Sequence, residues 1–560
     1  MREWFVADFE TTNAVYYEEN GYTRVWLYAI CNSNSEIVNW GTSIEEFFKW
    51  CSKNPQVDIY FHNLKFDGSF ILNYLFSNKY VYKPKLTRKD NRGFTTLIGE
   101  EGQYYQIKVN FARNKQVTFY DSLKIIPLKV KDIAKAFKLP ISKQIIDYGD
   151  YIIDESKLEY VFNDVKIVAM ALKFFKDKGF NKMTIGANAY TLFKQETKGF
   201  KDLFPALERD WLIEWRGAYR GGRTQVNPRH QDKILHNVNR YDINSMYPYA
   251  MSRFPMPYGE PIQLQEPNQY QFELYKIKVD FKLKPNHMPT LLKSGSMYSK
   301  QGDTYYIESD SVETIYISNI DLMLLKRHYD IYYLEYVEIW GFRTSKYIFR
   351  EWVDKYYALK NNSQGGMKLL WKLILNNLYG KYGSKCVGKS KIPKIGEDGA
   401  LEFELSDEQE MTIYYLPVAI AITSFCHMLI DDAIIETGIE NFVYCDTDSV
   451  HTLGTLPQEM IDNKIIGKFK HEGVEEQCKY IRQKCYMYKE NGQYNITCAG
   501  MTESLKTYLI EQYGDDTFNE FKIGLSIDDT SPNITLDDMK LRPLQVPGGT
   551  ILVPIPFSLC

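Results

Sequence analysis

Two hydrophobic periods alternate along the first third of the chain. Within residues 1–182, strand-like runs (WFVADFE, RVWLYAIC, DIYFHN, VTFYDSL) take turns with runs of helical period (EEFFKWC, SFILNYLF, LEYVFNDVKIVAMALKFF). That alternation predicts an α/β domain. Residues 183–260 end in a strand, NRYDINSMYP, and 254–347 read as a strand-rich insertion. The pattern at 348–380 is strongly helical, and a Lys/Gly-rich, hairpin-like piece follows at 384–415. The apolar run YYLPVAIAITSFCHMLI at 414–430 is broken by Pro417 and His427. It falls short of the roughly 20 residues a spanning helix needs and reads as buried core, with no membrane partner. The C-terminal part, with PNITLDDMK and VPGG, predicts small β-rich structure. No internal repeat is visible.

Composition adds bounds. The 560 residues suggest about three or four domains. Nine cysteines without a CxxC pair indicate neither a disulfide framework nor a zinc cage, so a reducing compartment fits. Only seven residues precede Asp8, which leaves no room for a signal peptide and predicts a cytoplasmic, non-secreted protein. With a net charge of −3, a polyanionic partner has to be met by local basic surface. One such surface lies at Lys381–Lys394, five lysines with no acid, downstream of Lys360, Lys368 and Lys372. It serves equally as a solvated loop. Aromatics make up 15%, enough for stacking on bases after the cores are filled.

The candidate chemistry is carboxylate chemistry. FVYCDTDSVH at 442–451 places strand formers around a DTD turn, so Asp446 and Asp448 crowd at a hairpin tip. Close carboxylates repel and take up protons unless a cation neutralises them, which makes the tip a divalent-metal candidate, or else a solvated turn. In VADFETT, Asp8 and Glu10 sit at i and i+2 of a strand and share a face. Asp67 opens a helix in HNLKFDGSF, and Tyr160 and Asp164 are one helical turn apart in YVFND. Four carboxylates and a phenol suit two-metal phosphodiester hydrolysis; singly, Asp67 reads as a helix cap and Asp164 as a surface residue. Asp242, in RYDINSMYP, is a third acid to face the DTD hairpin, and Tyr247-Pro248 is expected to turn the chain after it. Lys368, Lys372 and Asn376 step by four along one helical face, a place for a triphosphate or for mere solvation.

In order, DFETT, HNLKFD and YxxxD resemble the three exonuclease motifs of the RNase H-like, DnaQ-like 3′–5′ proofreading family. DINSMYP, KLILNNLYG and YCDTDS resemble motifs A, B and C of family B DNA polymerases, joined by YRGG at 219–222 and KCY at 484–486. The resemblance runs from Asp8 to the VPGG near 547 and is closest to the protein-primed, phi-twenty-nine type of small tailed bacteriophages. It implies an α/β and α+β multidomain chain: an exonuclease domain at 1–182; palm at 183–253 and 416–515; a first insertion at 254–347; fingers at 348–383; a second, hairpin insertion at 384–415; and thumb at 516–560.

The resemblance also implies roles. Asp8, Glu10, Asp67 and Asp164 would hold exonuclease metals, assisted by Tyr160 and Lys143. Thr11, Asn63, Phe66, Ser122 and Leu123 would grip a single-stranded 3′ end. Asp242 and Asp448 would hold the polymerase metals, with Asp446 in support, so that Mg²⁺ or Mn²⁺ is expected, two per active site. Lys360, Lys368, Lys372 and Asn376 would meet the incoming dNTP, Tyr247 would exclude a 2′-hydroxyl, and Tyr379 would pack on the nascent pair. Tyr219, Gly221 and Gly222 would carry the template between the sites, and Lys484 and Tyr486 the primer. Expected partners are primer–template DNA, dNTPs, a terminal protein as primer, and single- and double-stranded DNA-binding replication proteins in a bacterial cytoplasm. The hairpin, rich in Lys385, Lys389, Lys391 and Lys394, is expected to project beside the active site and serve strand displacement. The acidic stretch 528–540 departs from a basic thumb. Two rivals remain: a family B polymerase primed by ordinary nucleic acid, against which both insertions speak, and a decayed DNA-binding replication factor, against which the retained acids speak.

Overall fold

The strand Trp4–Thr11 is buried on both faces because it lies inside an eight-stranded mixed sheet, antiparallel to Val25–Asn32 and parallel to Asp58–Phe61. Lys115–Asp121 continues the sheet parallel to Asp58–Phe61. These relations come from a computed structural model that describes residues 2–112, 114–144, 150–293, 304–528 and 530–559. Phe9, Phe47, Phe61 and Phe119 fill one face of the sheet. The helix Glu155–Asp177 covers the other, started by Asp154, whose side chain accepts the Lys157 N–H at 2.8 Å.

A second, seven-stranded antiparallel sheet holds Ile234–Ile243 between Phe469–Arg482 and Ser449–Thr452. Behind it lies Leu416–Thr437, apolar around most of its circumference and carrying the polar anchors His427, Asp431 and Asp432. This helix is long and apolar enough to cross a membrane, yet 78% of its most apolar window is buried inside the protein, so it is a core helix. Pro417 sits at its first turn, where a missing N–H costs nothing.

Several expectations need correction. Tyr247-Pro248 does not turn the chain; both lie in the first turn of the helix Met246–Arg253, another place that tolerates proline. Residues 183–253 hold the helices Ile185–Glu196 and Arg209–Trp215 before their strands begin. The strand-rich insertion is a four-stranded sheet, but it also contains the helix Asn319–His328, capped by Ser318 and closed by Lys326, Arg327 and His328. Beneath the C-terminal part, one apolar core gathers residues from Ile481 to Leu559, so a thumb starting at 516 would cut through it.

The second insertion does form a hairpin, Lys391–Ile395 with Leu401–Leu405, turning at Gly399 (φ 81°). It does not project freely. Leu401 is buried in the exonuclease-side core, and Phe403 meets Tyr104 edge-on at 6.2 Å. Lys385 pairs with Glu100 at 3.2 Å, and Lys394 with Glu402 and Glu404 at 3.5 and 2.7 Å, so half of the expected phosphate-facing lysines already have acidic partners. A second hairpin, Lys540–Val546 with Gly549–Ile555, reaches the same domain: Thr23 donates its N–H to Pro547 O at 2.9 Å. Gly548 (φ 93°) is required there, because a Cβ would stand 2.0 Å from the Thr23 carbonyl oxygen. The two tips lie together, with Pro547 3.5 Å from where a Gly399 Cβ would be. Two of the acids in 528–540 serve local turns: Asp528 accepts from Thr530, and Asp538 forms a capping box with Thr535.

Candidate active sites

The first centre is built where the strand Trp4–Thr11 meets two helices. Asp8 and Glu10 leave the same face of the strand, opposite Ala29 and Leu27 of the neighbouring strand. Asn63, exposed and in the left-handed region (φ 76°), opens the helix Leu64–Ser77, which carries Asp67 inward until its Oδ1 accepts the Phe9 N–H at 3.3 Å. Asp164 and Tyr160 come from Glu155–Asp177; Lys143 pairs with Asp164, its ammonium 4.8 Å from the Tyr160 ring centre. Asp8, His62, Lys143 and Asp164 line a small cavity of about 130 Å³.

Burial and the neighbouring Asp164 charge push the Asp8 carboxyl up to about 7, while Lys143 works the other way. Asp67 is raised well above the usual range by burial and by Asp8. The buried Asp164 Oδ1 has no hydrogen-bond partner. Crowded, raised carboxyls with an unpartnered buried oxygen fit a cation. Among the described residues no three acids, histidines or cysteines have the spacing of a ready cage.

Among the strand-gripping candidates, Thr11, Phe66 and Leu123 are partly exposed, and Phe66 packs on Phe70 at 5.7 Å. Ser122 departs from expectation. It is fully buried, its hydroxyl donates to Phe61 O at 3.0 Å and meets His62 Nδ1 at 2.9 Å, so it holds His62 rather than presenting a hydroxyl to a strand. His62, whose other nitrogen meets Leu128 O at 2.7 Å, was visible within HNLKFD but carried no signal of its role.

The second centre depends on strand register. Asp242 pairs opposite Ser449, and the Ile243 N–H donates to Asp448 O at 2.8 Å, so Asp242 and Asp448 are neighbours across the ladder. Thr447 makes the turn possible by taking φ 65°. Burial, then Asp448 and Glu472, push the Asp242 carboxyl up to about 7, against Lys470 and Lys372. Asp448 is likewise raised, by burial and Asp446, against Lys484 and Lys372. Lys372 thus acts on both acids, and the stripe Lys368, Lys372, Asn376 is exposed on the helix Gly365–Tyr382. Lys360 donates to Ser245 Oγ at 3.1 Å, and burial beside Lys372 and Lys368 holds it down to about 8. Tyr247 and Tyr379 stack at 4.0 Å and 12°. Lys484 reaches both Asp446 oxygens at 3.0 Å, and Tyr486 stacks on Tyr480 at 5.0 Å.

A strap at 219–224 ties this turn to the rest of the molecule, and most of its anchors were missed. Thr224 Oγ1 donates to Asp446 at 3.1 Å, and Arg223 O accepts the Thr447 N–H at 2.7 Å. The fully buried Arg223 pairs with Asp431 at 2.9 Å, and His427 Nε2 meets Gly221 O at 2.7 Å. These partners lie over two hundred residues away in sequence. A Cβ on Gly222 would stand 2.7 Å from Thr447 Cγ2, so Gly222→Ala has to displace the turn between the two acids. Extension by Gly222→Ala is expected to fall roughly a hundredfold, the scale of an ångström's misplacement, in single-turnover incorporation, with excision unchanged.

A mixed sheet with carboxylates at its centre, followed by an antiparallel sheet with three acids under a lysine helix, defines a two-centre enzyme of nucleic acids. The model of the family "DNA polymerase type B, organellar and viral" matches residues 49–151 and 147–466, and the chain belongs to that family. The DNA polymerase of Bacillus phage phi29 is 34% identical over 100% of this chain and 99% of its own. That of Streptococcus phage Cp-1 is 30% identical over 100% and 99%. Phi29 DNA polymerase complexed with primer-template DNA and incoming nucleotide substrates superposes with a TM-score of 0.88, at 34% identity, over 100% of both chains. The chain is a phi29-type enzyme, a replicative DNA-directed DNA polymerase with 3′–5′ exodeoxyribonuclease activity, and divalent metal ions are general to such enzymes.

Proposed function

We propose that the two centres divide synthesis from proofreading, within the domain division expected above except that the thumb core starts near Ile481. At the first, Asp8, Glu10, Asp67 and Asp164 would hold Mg²⁺ or Mn²⁺. At the second, Asp242 and Asp448 would do so, two ions per site. The ions would supply charge neutralisation at attacking and leaving oxygens. The chain's own residues do the positioning. Tyr160 and Lys143 orient the group attacking the 3′ phosphodiester. Thr11, Asn63, Phe66 and Leu123 hold the frayed strand. Lys360, Lys368, Lys372 and Asn376 receive the triphosphate. Lys484, beside Asp446, and Tyr486 hold the primer, while Tyr219, Gly221 and Gly222 carry the template. The observation that supports the reading is the register that makes Asp242 and Asp448 neighbours across the ladder, together with the exposed stripe Lys368, Lys372 and Asn376, whose Lys372 charge opposes the rise of both acids.

The face-to-face stack of Tyr247 on Tyr379 supports a flat wall beneath the sugar. Tyr247→Val is expected to lower the dNTP/rNTP ratio of kcat/KM at least about tenfold, since the wall discriminates by clash. The meeting of the two hairpin tips on the exonuclease domain supports a closed path around DNA. Replacing 386–410 by a short Gly/Ser loop is expected to spare single-nucleotide addition, shorten products per binding event in the presence of a DNA trap, and stop synthesis through a downstream duplex.

The partners are primer–template DNA, dNTPs and a terminal protein acting as primer, in the host cytoplasm alongside single- and double-stranded DNA-binding proteins. The test is incubation with an origin-bearing DNA end, a candidate terminal protein and labelled dNTP. Label covalently attached to protein supports protein priming. Extension of an oligonucleotide primer without any such product returns the reading to an ordinarily primed polymerase.

A further inference from the structure

We propose that Cys485 and Cys498 form a thiol–disulfide site: two opposed thiols that close into a cystine when the enzyme meets a low-molecular-weight disulfide and reopen under a thiol reductant. The strands Cys485–Glu490 and Gln493–Cys498 are antiparallel with Cys485 directly across from Cys498, so both side chains leave the same face. Their sulfurs are 3.4 Å apart, the one contacting thiol pair among the described cysteines. Facing residues of an antiparallel ladder have Cα atoms roughly 4.5–5.5 Å apart, within the span a disulfide bridges, and a bond of about 2.05 Å asks for sulfur movement of little more than an ångström.

Both thiols are buried, and the route in is local opening. Gln493–Cys498 is the edge strand of its sheet, and Cys498 is its last residue, two before Gly500 (φ 97°). Strand ends of this kind open at small cost. Either thiol can donate in the contact between them, and Cys498, at the end of the edge strand with Arg482 and Lys506 nearby to favour a thiolate, is the one that opening exposes first, which makes Cys498 the attacking group. Its thiolate attacks one sulfur of oxidised glutathione, forming a mixed disulfide and expelling one glutathione thiolate, which takes up a proton. Cys485 then loses its proton and attacks the Cys498 sulfur, expelling the second glutathione. Two protein thiols are oxidised by two electrons, and one glutathione disulfide is reduced to two thiols.

The consequence is a lock and not an off-switch. Both cysteines belong to the core under the thumb, with Met501, Leu505 and Phe518. Tyr486 leaves the opposite face of the strand from Cys485, and Lys484 sits in the turn just before it (φ 53°), so a bridge stiffens their support from behind without displacing them.

The test exposes the folded, full-length enzyme to oxidised glutathione, blocks free thiols by alkylation and maps peptides without reduction. The expected product is a peptide pair joined through Cys485 and Cys498, two hydrogens lighter and released by dithiothreitol. Amide exchange across 493–498 should slow roughly tenfold or more, with primer extension retained. Cys485→Ser should arrest the reaction as a stable glutathione adduct on Cys498. The proposal is overturned if the bridge forms only in denaturant, if other cysteines react while this pair stays alkylatable, or if bridging abolishes extension.

Discussion

Asp448→Ala is expected to abolish primer extension, lowering kcat/KM for dNTP by at least about a thousandfold, while excision of a single-stranded 3′ end proceeds at the unsubstituted rate. The magnitude follows from removing one of two acids that share a cation site worth several kcal/mol, at 1.36 kcal/mol per decade of rate. The selectivity follows from the contacts of Asp448. The charges beside it include Asp242, Asp446, Lys484 and Lys372, all in the antiparallel sheet, its turns or the lysine helix, and its backbone carbonyl ties to Ile243. None belongs to the exonuclease domain. Single-turnover incorporation on a primed template, beside excision of a labelled oligonucleotide, reads both activities from one preparation. An Asp448→Ala enzyme that still polymerises would show that the DTD turn is a solvated hairpin tip after all.

Asp8→Ala combined with Glu10→Ala is expected to produce the mirror result: excision lost by a comparable factor and extension unchanged. These two acids sit on an interior strand, where burial and the Asp164 charge hold the Asp8 carboxyl in an unfavourable environment. Removing them relieves repulsion around Asp67, which Asp8 and Glu10 both raise. The variant should therefore fold at least as stably as the parent, and a cooperative thermal transition no lower than the parent's checks this. Lys143 keeps its partner Asp164 in the variant. Loss of both activities in a folded variant would refute the division of labour between the centres.

What the sequence determined by itself is local. The period-two face that brings Asp8 and Glu10 together, the helical turn that joins Tyr160 to Asp164, the exposed lysine stripe and the DTD turn all follow from spacing, because covalent geometry and one hydrogen-bond period specify them. The buried run at 414–430 was legible for the same reason, as an apolar surface that only a core can cover. Tertiary structure alone decided which acids meet which cations. Register set Asp242 beside Asp448, long-range pairs with Asp431 and His427 fixed the strap, and Lys484 found Asp446 across thirty-eight residues. It also decided that Ser122 faces inward to His62, and that the lysine-rich hairpin lies down on the exonuclease domain with Lys385 and Lys394 already paired. A charge run in sequence states how many cations there are. Their freedom depends on which acids the fold sets within ion-pair distance, and no local pattern encodes that.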